Sequence, residues 1–470
     1  MKKQITSILA AMLLSSNAAL AQSYPDPLLT MPVTAESIAE AKEIDAYTLG
    51  VSAYLWGYPL VRMERVMREY TDVTAPQPGT SYRAPVNKIG WATELATPSA
   101  RDMPAANNDT FYMSAVVTLT EPYVLSVPDT NDRYYVVNVF TTYHEDEQDI
   151  GRRVTGTKAG RFAIVPPGWE GTLPPDVRRV DVSTDKVWLW GRLHVRDGDD
   201  MGPIKALQAK FGLRPLSRLD DPQYAAPPAE LPALPDIAGD DLGFFVHLGY
   251  AMQQNPILPR DAALVGQFER IGLSRNGFDR AALSPKQLAA LKRALADASV
   301  VASAAIATTA KKIGAWDSTM VDGYGFNYPL RAVHSGPYLG GNMVQEAYYP
   351  STYFDSRGHL LTGANRYELR LAKAPPVDAF WSATLYNADD KMLVANPIDR
   401  YKVGSETTGL KANADGSIGI PIQHGEPSGP EKANWLPAPK GNFFLVLRFY
   451  QPRKELLDGT YSLPELVRVD

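Results

Sequence analysis

The sequence predicts a multi-domain α+β protein in which two β-rich regions flank a helical one. Two observations carry this. Apolar residues recur at helical spacing over 34–70 and again over 204–313. Over 108–197 and after 316 the period drops to two, in short runs bounded by Pro, Gly and Asp. A chain of 470 residues is long enough for roughly three domains of ordinary size. It contains zero Cys, so a large apolar core must hold the fold without disulfides.

The first element is an export signal over 1–21. Lys2 and Lys3 precede an apolar run from Ile5 to Leu14, and Ala19-Leu20-Ala21 supplies the small residues a signal peptidase needs, with Gln22 as the mature start. The expected location is therefore the periplasm or outside the cell. The remainder divides at 22–75, 76–200, 201–314 and 315–470. The first of these is helical from Thr34, a Thr at the N-cap with Glu36 and Glu40 nearby, and Pro59 is expected to kink or interrupt it. Residues 71–86 are rich in Pro, Gly and Thr and read as a loop.

Over 76–200 the clearest strands are 125–127, 134–140, 161–165 and 186–195, and their even spacing fits an antiparallel sandwich. In the last run Val187, Leu189, Leu193 and Val195 share the core face. Trp188, Trp190, Arg192 and His194 share the other, which is too aromatic for solvent and is expected to be covered or to line a cleft. In the helical region Ser284-Pro285-Lys286-Gln287 combines an N-cap, a Pro at the first position and a capping-box Gln, and opens a helix expected to run from Lys286 to Lys312 and stop at Gly314. Residues 222–235 form a Pro/Ala-rich linker. Beyond 315, strands are expected at 366–371, 380–386, 418–422 and 443–450, with NADGS at 413–417 as a turn.

The same stretches carry a resemblance. NNDTFYMS (107–114), LSVPDTNDRYY (125–135) and GRFAIVPPGWEGTLP (160–174) resemble the bacterial domain of unknown function 1254. YPLRAV (328–333), the long motif AYYPSTYFDSRGHLLTGANRYEL (347–369), PPVDAFWSATLYN (375–387), NPIDRY (396–401), NWLPAP (434–439) and LRFYQP (447–452) resemble its usual partner, domain of unknown function 1214. The resemblance implies an immunoglobulin-like sandwich, a helical domain and a C-terminal jelly roll. It brings no activity with it. The acidic stretch TTYHEDEQDIGRR (141–153) departs from the family pattern.

Charge narrows the partners. There are 47 Lys and Arg against 52 Asp and Glu, and loss of residues 1–21 removes two Lys and no acid, taking the net charge from −5 to −7. That argues against nucleic acid and anionic membrane, both of which demand basic surfaces. No later stretch is long enough to span a membrane. A homo-oligomer is compatible with the sequence.

Common catalytic signatures are absent: no nucleophile elbow, zinc helix, phosphate loop or dinucleotide fingerprint. Four clusters remain. Asn107, Asn108, Asp109, Thr110 and Tyr112 gather an amide, a carboxylate and a phenol at one strand start, which suits acid–base work, or more plainly an Asx turn entering a strand. His144, Glu145 and Asp149, followed by Arg152 and Arg153, admit a divalent metal, or more plainly a solvated acidic loop paired to arginines. Trp190 and Arg192, beside His194, suit a small-molecule or sugar-like ligand, or a domain interface. Arg331, His334, Glu346, Tyr348, Tyr349, Asp355 and Arg366 compose an acid–base group, although Asp355 also reads as a hairpin turn and Arg366 as part of a charge ladder.

The resulting expectation is an enzyme of hydrolase or lyase type, working by acid–base chemistry in a cleft between the β regions. Asp109 or Glu346 would be base or acid, Tyr112 and His334 proton donors, and Arg152 or Arg192 the anchor, with Asn108, Trp190 and Tyr348 against the substrate. The alternative is a non-catalytic binding or scaffold protein of the envelope.

Overall fold

The computed structural model describes residues 33–470, so the expected export signal lies outside the described residues. Helix α1 (Ala35–Thr71) opens where expected: the Thr34 hydroxyl accepts from the Ser37 N–H at 3.1 Å in a reciprocal capping box. Of the two expected effects of Pro59, interruption does not occur, and the helix continues through it. The buried face around that position, Trp56, Leu60 and Met63, is packed on both sides, and such packing outweighs one lost backbone bond.

The longer helices that follow are α2 (Met201–Gln208), α3 (Gly243–Gln254), α4 (Pro285–Thr309) and α5 (Tyr328–His334). Helix α4 has the expected Ser284 capping box but ends at Thr309, short of Lys312. Residues Lys311–Ile313 instead pair with Trp316–Ser318 across Gly314, whose φ of 61° suits a hairpin turn. Helices α1, α3 and α4 share one core containing Trp56, Leu60, Phe245, Leu248 and Leu291. They approach closely at Gly50, where a β-carbon would lie 2.8 Å from that of Ala294.

The first β region contains β1 (Gly90–Trp91), β2 (Thr110–Thr118), β3 (Tyr123–Val127), β4 (Tyr135–Thr141), β5 (Asp146–Gly151), β6 (Gly160–Val165), β7 (Val177–Asp181), β8 (Lys186–His194) and β9 (Gly212–Pro215). They form a five-stranded sheet in the order β1-β2-β8-β4-β5 and a four-stranded sheet in the order β7-β6-β3-β9. The inward residues of both sheets, among them Phe111, Met113, Leu125, Phe162, Leu189 and Leu193, make a single core.

Two expectations are corrected here. Strands β6 and β7 pair in parallel, so the second sheet is mixed; the Pro/Gly-rich 166–176 segment returns the chain to the same end before β7 starts. The acidic stretch after β4 is not a solvated loop. It is strand β5, paired to β4 across a bulge at Val139/Phe140.

Past the short hairpin β10 (Leu273–Ser274) and β11 (Gly277–Phe278), the second β region holds β12 (Lys311–Ile313), β13 (Trp316–Ser318), β14 (Ala347–Tyr348), β15 (Ser351–Thr352), β16 (Tyr367–Leu371), β17 (Trp381–Asn387), β18 (Lys402–Gly404), β19 (Ile418–Gln423), β20 (Leu436–Pro437), β21 (Phe443–Tyr450) and β22 (Glu465–Arg468). A seven-stranded sheet centred on β21 and β17 and a four-stranded sheet, β20-β19-β16-β22, enclose a core of Trp381, Leu385, Leu369, Ile420, Leu445 and Leu447. Arg370 and Glu368 pair on the outside of β16 while Tyr367, Leu369 and Leu371 point in, so Arg366–Leu371 is a charge ladder over a buried face.

The site depends on what the other faces of the two large sheets do. Trp188 and Trp190 of β8 are covered by Met63, Val66, Met67 and Tyr70 of α1. Beside them, Tyr134 and Val136 meet Phe380 and Tyr450 of the second β region. The His194 ring stacks on Phe380 at 3.8 Å, and Phe380 stacks on Tyr450 at 4.2 Å. The two β regions therefore face each other through the non-core sides of their large sheets. No helix among the described residues is long and apolar enough to cross a membrane.

Candidate functional site

A cavity of about 150 Å³ lies in that junction. Strand β2 contributes Tyr112, β8 contributes Arg192, and β21 contributes Phe444, Val446 and Arg448. The 103–107 segment, the 337–341 loop after α5, Tyr349, Tyr353 and Lys391 complete the wall. Its ionisable lining, phenols aside, is three cations, Arg192, Arg448 and Lys391, with no carboxylate.

Neither guanidinium has a carboxylate within salt-bridge distance among the described residues, and both are buried. Arg192 donates only to neutral oxygens: Asn138 Oδ1 at 2.9 Å, Asn342 Oδ1 at 3.0 Å and the Gly340 carbonyl at 2.6 Å. Its guanidinium lies 5.7 Å from the ring centres of both Tyr112 and Trp190. Arg448 donates Nη2 to the Ala105 carbonyl at 2.8 Å, and its Nη1 has no partner. A buried cation without a direct carboxylate contact is costly, because neutral oxygens replace its lost hydration only in part.

The phenols are aimed as donors. The Tyr112 oxygen accepts from the Asn107 N–H at 3.0 Å and from Asn107 Nδ2 at 2.7 Å. A phenol oxygen that accepts twice has only its own hydrogen left to give. The Tyr349 oxygen accepts from Asn342 Nδ2 at 2.5 Å. Burial holds the Tyr349 phenol above its usual range, so it stays protonated. Asn107 does double service, since its Oδ1 also accepts from the N–H groups of Asp109 and Thr110, both at 2.9 Å. That is the Asx turn of the plainer reading, here bonded to a cavity residue.

Of the expected site residues, Tyr112 and Arg192 line the cavity and Trp190 stacks behind Tyr112, ring centres 4.7 Å apart. Asp109 is turned away into an ion pair, 2.9 Å from Lys402 Nζ, and accepts from Ser382 Oγ at 2.8 Å. Burial pushes its carboxyl up, but the Lys402 ammonium and Arg448 guanidinium more than reverse this and hold it below the usual range. Asn108 donates to the Ala96 carbonyl at 2.6 Å. Glu346 accepts from the Tyr134 hydroxyl at 2.8 Å and from Arg153 at 2.7 Å; burial, then the Asp149 carboxylate, raise its carboxyl.

Arg152 spans the junction at its edge, bonding Asp132, the Asp378 carbonyl and Gln451. His334 lies behind the cavity wall, stacked on Tyr338, and burial pushes its imidazole down to about 4, so it is neutral and unsuited to act as a cationic acid. Tyr348 points into the core of the second β region and bonds Ser318; it is the next residue, Tyr349, that reaches the cavity.

The metal candidates are split. His144 accepts from the Gly340 N–H at 3.0 Å, Glu145 pairs with Arg260 and Arg331, and Asp149 pairs with Arg153 and Asn138. Among the described residues no group of three His, Asp or Glu gathers where it could hold a metal. The acidic side chains of β5 are instead absorbed internally. Burial and then the adjacent Asp149 hold the Asp146 carboxyl well above its usual range.

Tyr349, a member of the fourth cluster, lines the cavity, whereas sequence reasoning missed Arg448, Tyr353, Phe444 and Lys391. For Arg448 a signal existed: it is the lone charge in FFLVLRFY, on the face of β21 opposite Leu445, Leu447 and Phe449. A larger open groove of about 730 Å³ near the end of α1 mixes Arg68 and Lys88 with Glu69, Asp72 and Glu230 and holds no unpartnered buried polar atom, so it points to no ligand.

Comparison with known proteins agrees with the domain order. No curated protein matches the chain. The crystal structure of the VPA0106 protein from Vibrio parahaemolyticus is similar over 90% of this chain and 100% of its own, with 23% identity and a TM-score of 0.69, which is a likeness of fold. An uncharacterized protein from Burkholderia cenocepacia is similar over 92% of this chain and 96% of its own, at 14% identity and a TM-score of 0.43. Residues 86–215 match the model of the protein of unknown function DUF1254, and residues 346–454 match that of the protein of unknown function DUF1214. The cavity is walled by residues from both matched segments, and the chain belongs to the proteins in which DUF1254 is followed by DUF1214.

Proposed function

We propose that the protein binds a small organic anion with an aromatic or apolar body in the junction cavity. The observation that carries this is the pair of buried guanidinium groups, Arg192 and Arg448, without a carboxylate partner, one of them with an unpartnered Nη1. An entering carboxylate would supply the missing charge and take charge-assisted hydrogen bonds from Arg448 and Tyr112. The rings of Tyr338, Tyr349, Tyr353 and Phe444 would cover its apolar part.

Isothermal titration with benzoate tests this. Arg448→Met should weaken binding by about tenfold or more, the scale of a hydrogen bond to a charged group. Its melting temperature should fall only modestly, since the Asp109 carboxylate that Arg448 helps to hold charged keeps Lys402 as its direct partner. Equal affinity in the variant, or no binding to the wild-type protein, would sink the reading.

A second reading, catalysis on that anion, is favoured by Tyr112, whose hydroxyl hydrogen has no acceptor among the described residues and stands beside Arg192. It would act as the proton donor of a hydrolase or lyase step. The immunoglobulin-like and jelly-roll descriptions of the two β regions belong to this proposal too, supported by the paired sheets around each core. So does export, supported by Lys2, Lys3 and Ala19-Leu20-Ala21; mass spectrometry of the native protein should find Gln22 first.

A further inference from the structure

Two wall residues of the cavity hold left-handed backbone without being glycine: Ala105 at φ 50° and Lys391 at φ 61°. They are joined, the Ala105 N–H donating to the Lys391 carbonyl at 2.9 Å. Lys391 closes the turn that follows β17, its own N–H donating to the Asn387 carbonyl at 3.0 Å. Glycine or asparagine suits such a position, because a β-carbon crowds the following carbonyl. A long cationic side chain is kept there instead, and held backbone strain of this kind gathers at ligand sites.

The Lys391 ammonium has no carboxylate partner within salt-bridge distance among the described residues; the neighbouring Asp390 is taken by Arg101 at 3.2 Å. It lies 3.4 Å from the Tyr353 hydroxyl and 6.0 Å from that ring's centre. Tyr353 in turn stacks on Phe444, ring centres 4.7 Å apart. The cavity thus has a buried cation, Arg448, and an exposed one, Lys391, with aromatic rings lining the same space. Its volume of about 150 Å³ equals that of cavities known to accept one benzene ring.

We propose that the preferred ligand class is an aromatic dicarboxylate, and that Lys391 is the residue that selects it. One carboxylate is taken by Arg448 and Tyr112, the ring lies against Tyr353 and Phe444, and the second carboxylate meets Lys391. The inference rests on the anion-binding reading above and adds the requirement for a second negative charge.

The test is titration of the full protein with benzoate, phthalate, isophthalate and terephthalate at pH 7. At least one dicarboxylate should bind the wild-type protein about fivefold more tightly than benzoate, the upper end of what a solvent-exposed ion pair supplies. Lys391→Gly should abolish that preference while lowering benzoate affinity by less than about threefold, and high salt should shrink the preference in the wild-type protein. The variant should melt no lower than the wild type, since glycine relieves the backbone at φ 61°. Benzoate binding with no dicarboxylate preference, or a preference that survives Lys391→Gly, overturns this inference alone. Failure of every probe on the wild-type protein overturns the anion-binding reading with it.

Discussion

Asp109→Asn separates a structural carboxylate from a functional one. Asp109 immediately precedes β2, and both its oxygens are committed to the second β region, Oδ1 to Lys402 at 2.9 Å and Oδ2 to Ser382 at 2.8 Å. The substitution keeps the shape and removes the charge, leaving a buried ammonium. Breaking a buried pair from one side costs about 3–5 kcal/mol. Lys402 retains a second, more distant carboxylate in Asp197 at 3.6 Å, which places the loss at the low end, about 3 kcal/mol.

For a cooperative unit of ordinary domain size that is a fall of about 6–12 °C in melting temperature, measurable by calorimetry and by the urea midpoint. Adding Lys402→Met to Asp109→Asn should recover much of the loss, because the stranded charge goes with it. The folded-state carboxyl of Asp109 is held below its ordinary value. Its contribution is therefore fully present above the unfolded carboxyl range near pH 4 and lost only as pH falls through the lower folded value. The gap between wild type and Asp109→Asn should close only in strong acid. A melting temperature within about 1 °C of wild type, together with loss of benzoate binding, would refute the reasoning and make Asp109 a site residue.

Trp381 is buried in the core of the second β region, opposite Phe449 in register, so Trp381→Ala should cost about 3–5 kcal/mol by urea denaturation; a value near zero would mean that its face is not core. Burial pushes His144 down to about 3 and His334 to about 4. Both are neutral in the folded protein, so stability should be fully present above about pH 6.5 and decline as pH falls from there towards the folded values. His334→Phe, a ring for a ring between Tyr324 and Tyr338, should flatten part of that decline in urea midpoints taken at pH 7.5 and pH 5, values chosen to bracket an ordinary imidazole at about 6.5. An unchanged slope would exclude it.

Much of the local structure was legible because it is encoded locally. The capping boxes at Thr34 and Ser284 satisfy helix-end donors from within three residues, and both helices begin there. The alternation in 186–195 could be assigned to two faces from side-chain parity alone, and Leu189 and Trp190 do lie in different cores. Where competing long-range pairing decided, local reading failed. The acidic run 143–149 has no apolar alternation to mark a strand. It becomes β5 because the edge of β4 needs a partner, and its acids can be buried since Asn138, Arg153 and each other receive them. Helix α4 stops early because 311–313 is drawn into a hairpin, and Tyr348 and Tyr349 exchange roles because one residue of strand register reverses the face.

By itself the sequence determined the order of helical and β regions, the two inward-facing apolar cores and the absence of any disulfide, since each follows from period, capping and composition. It also placed polar and aromatic residues at the start of β2 and along β8. Only the tertiary structure decided which of them meet. Arg448 stands over three hundred positions from Tyr112 in sequence, yet the two share one cavity because the non-core faces of the two large sheets are pressed together. Asp109, three positions before Tyr112 and just ahead of β2, is instead consumed by Lys402 at that interface. Whether a charged group is paired or left for a ligand depends on what the opposing surface brings within a few ångström, and no local pattern carries that information.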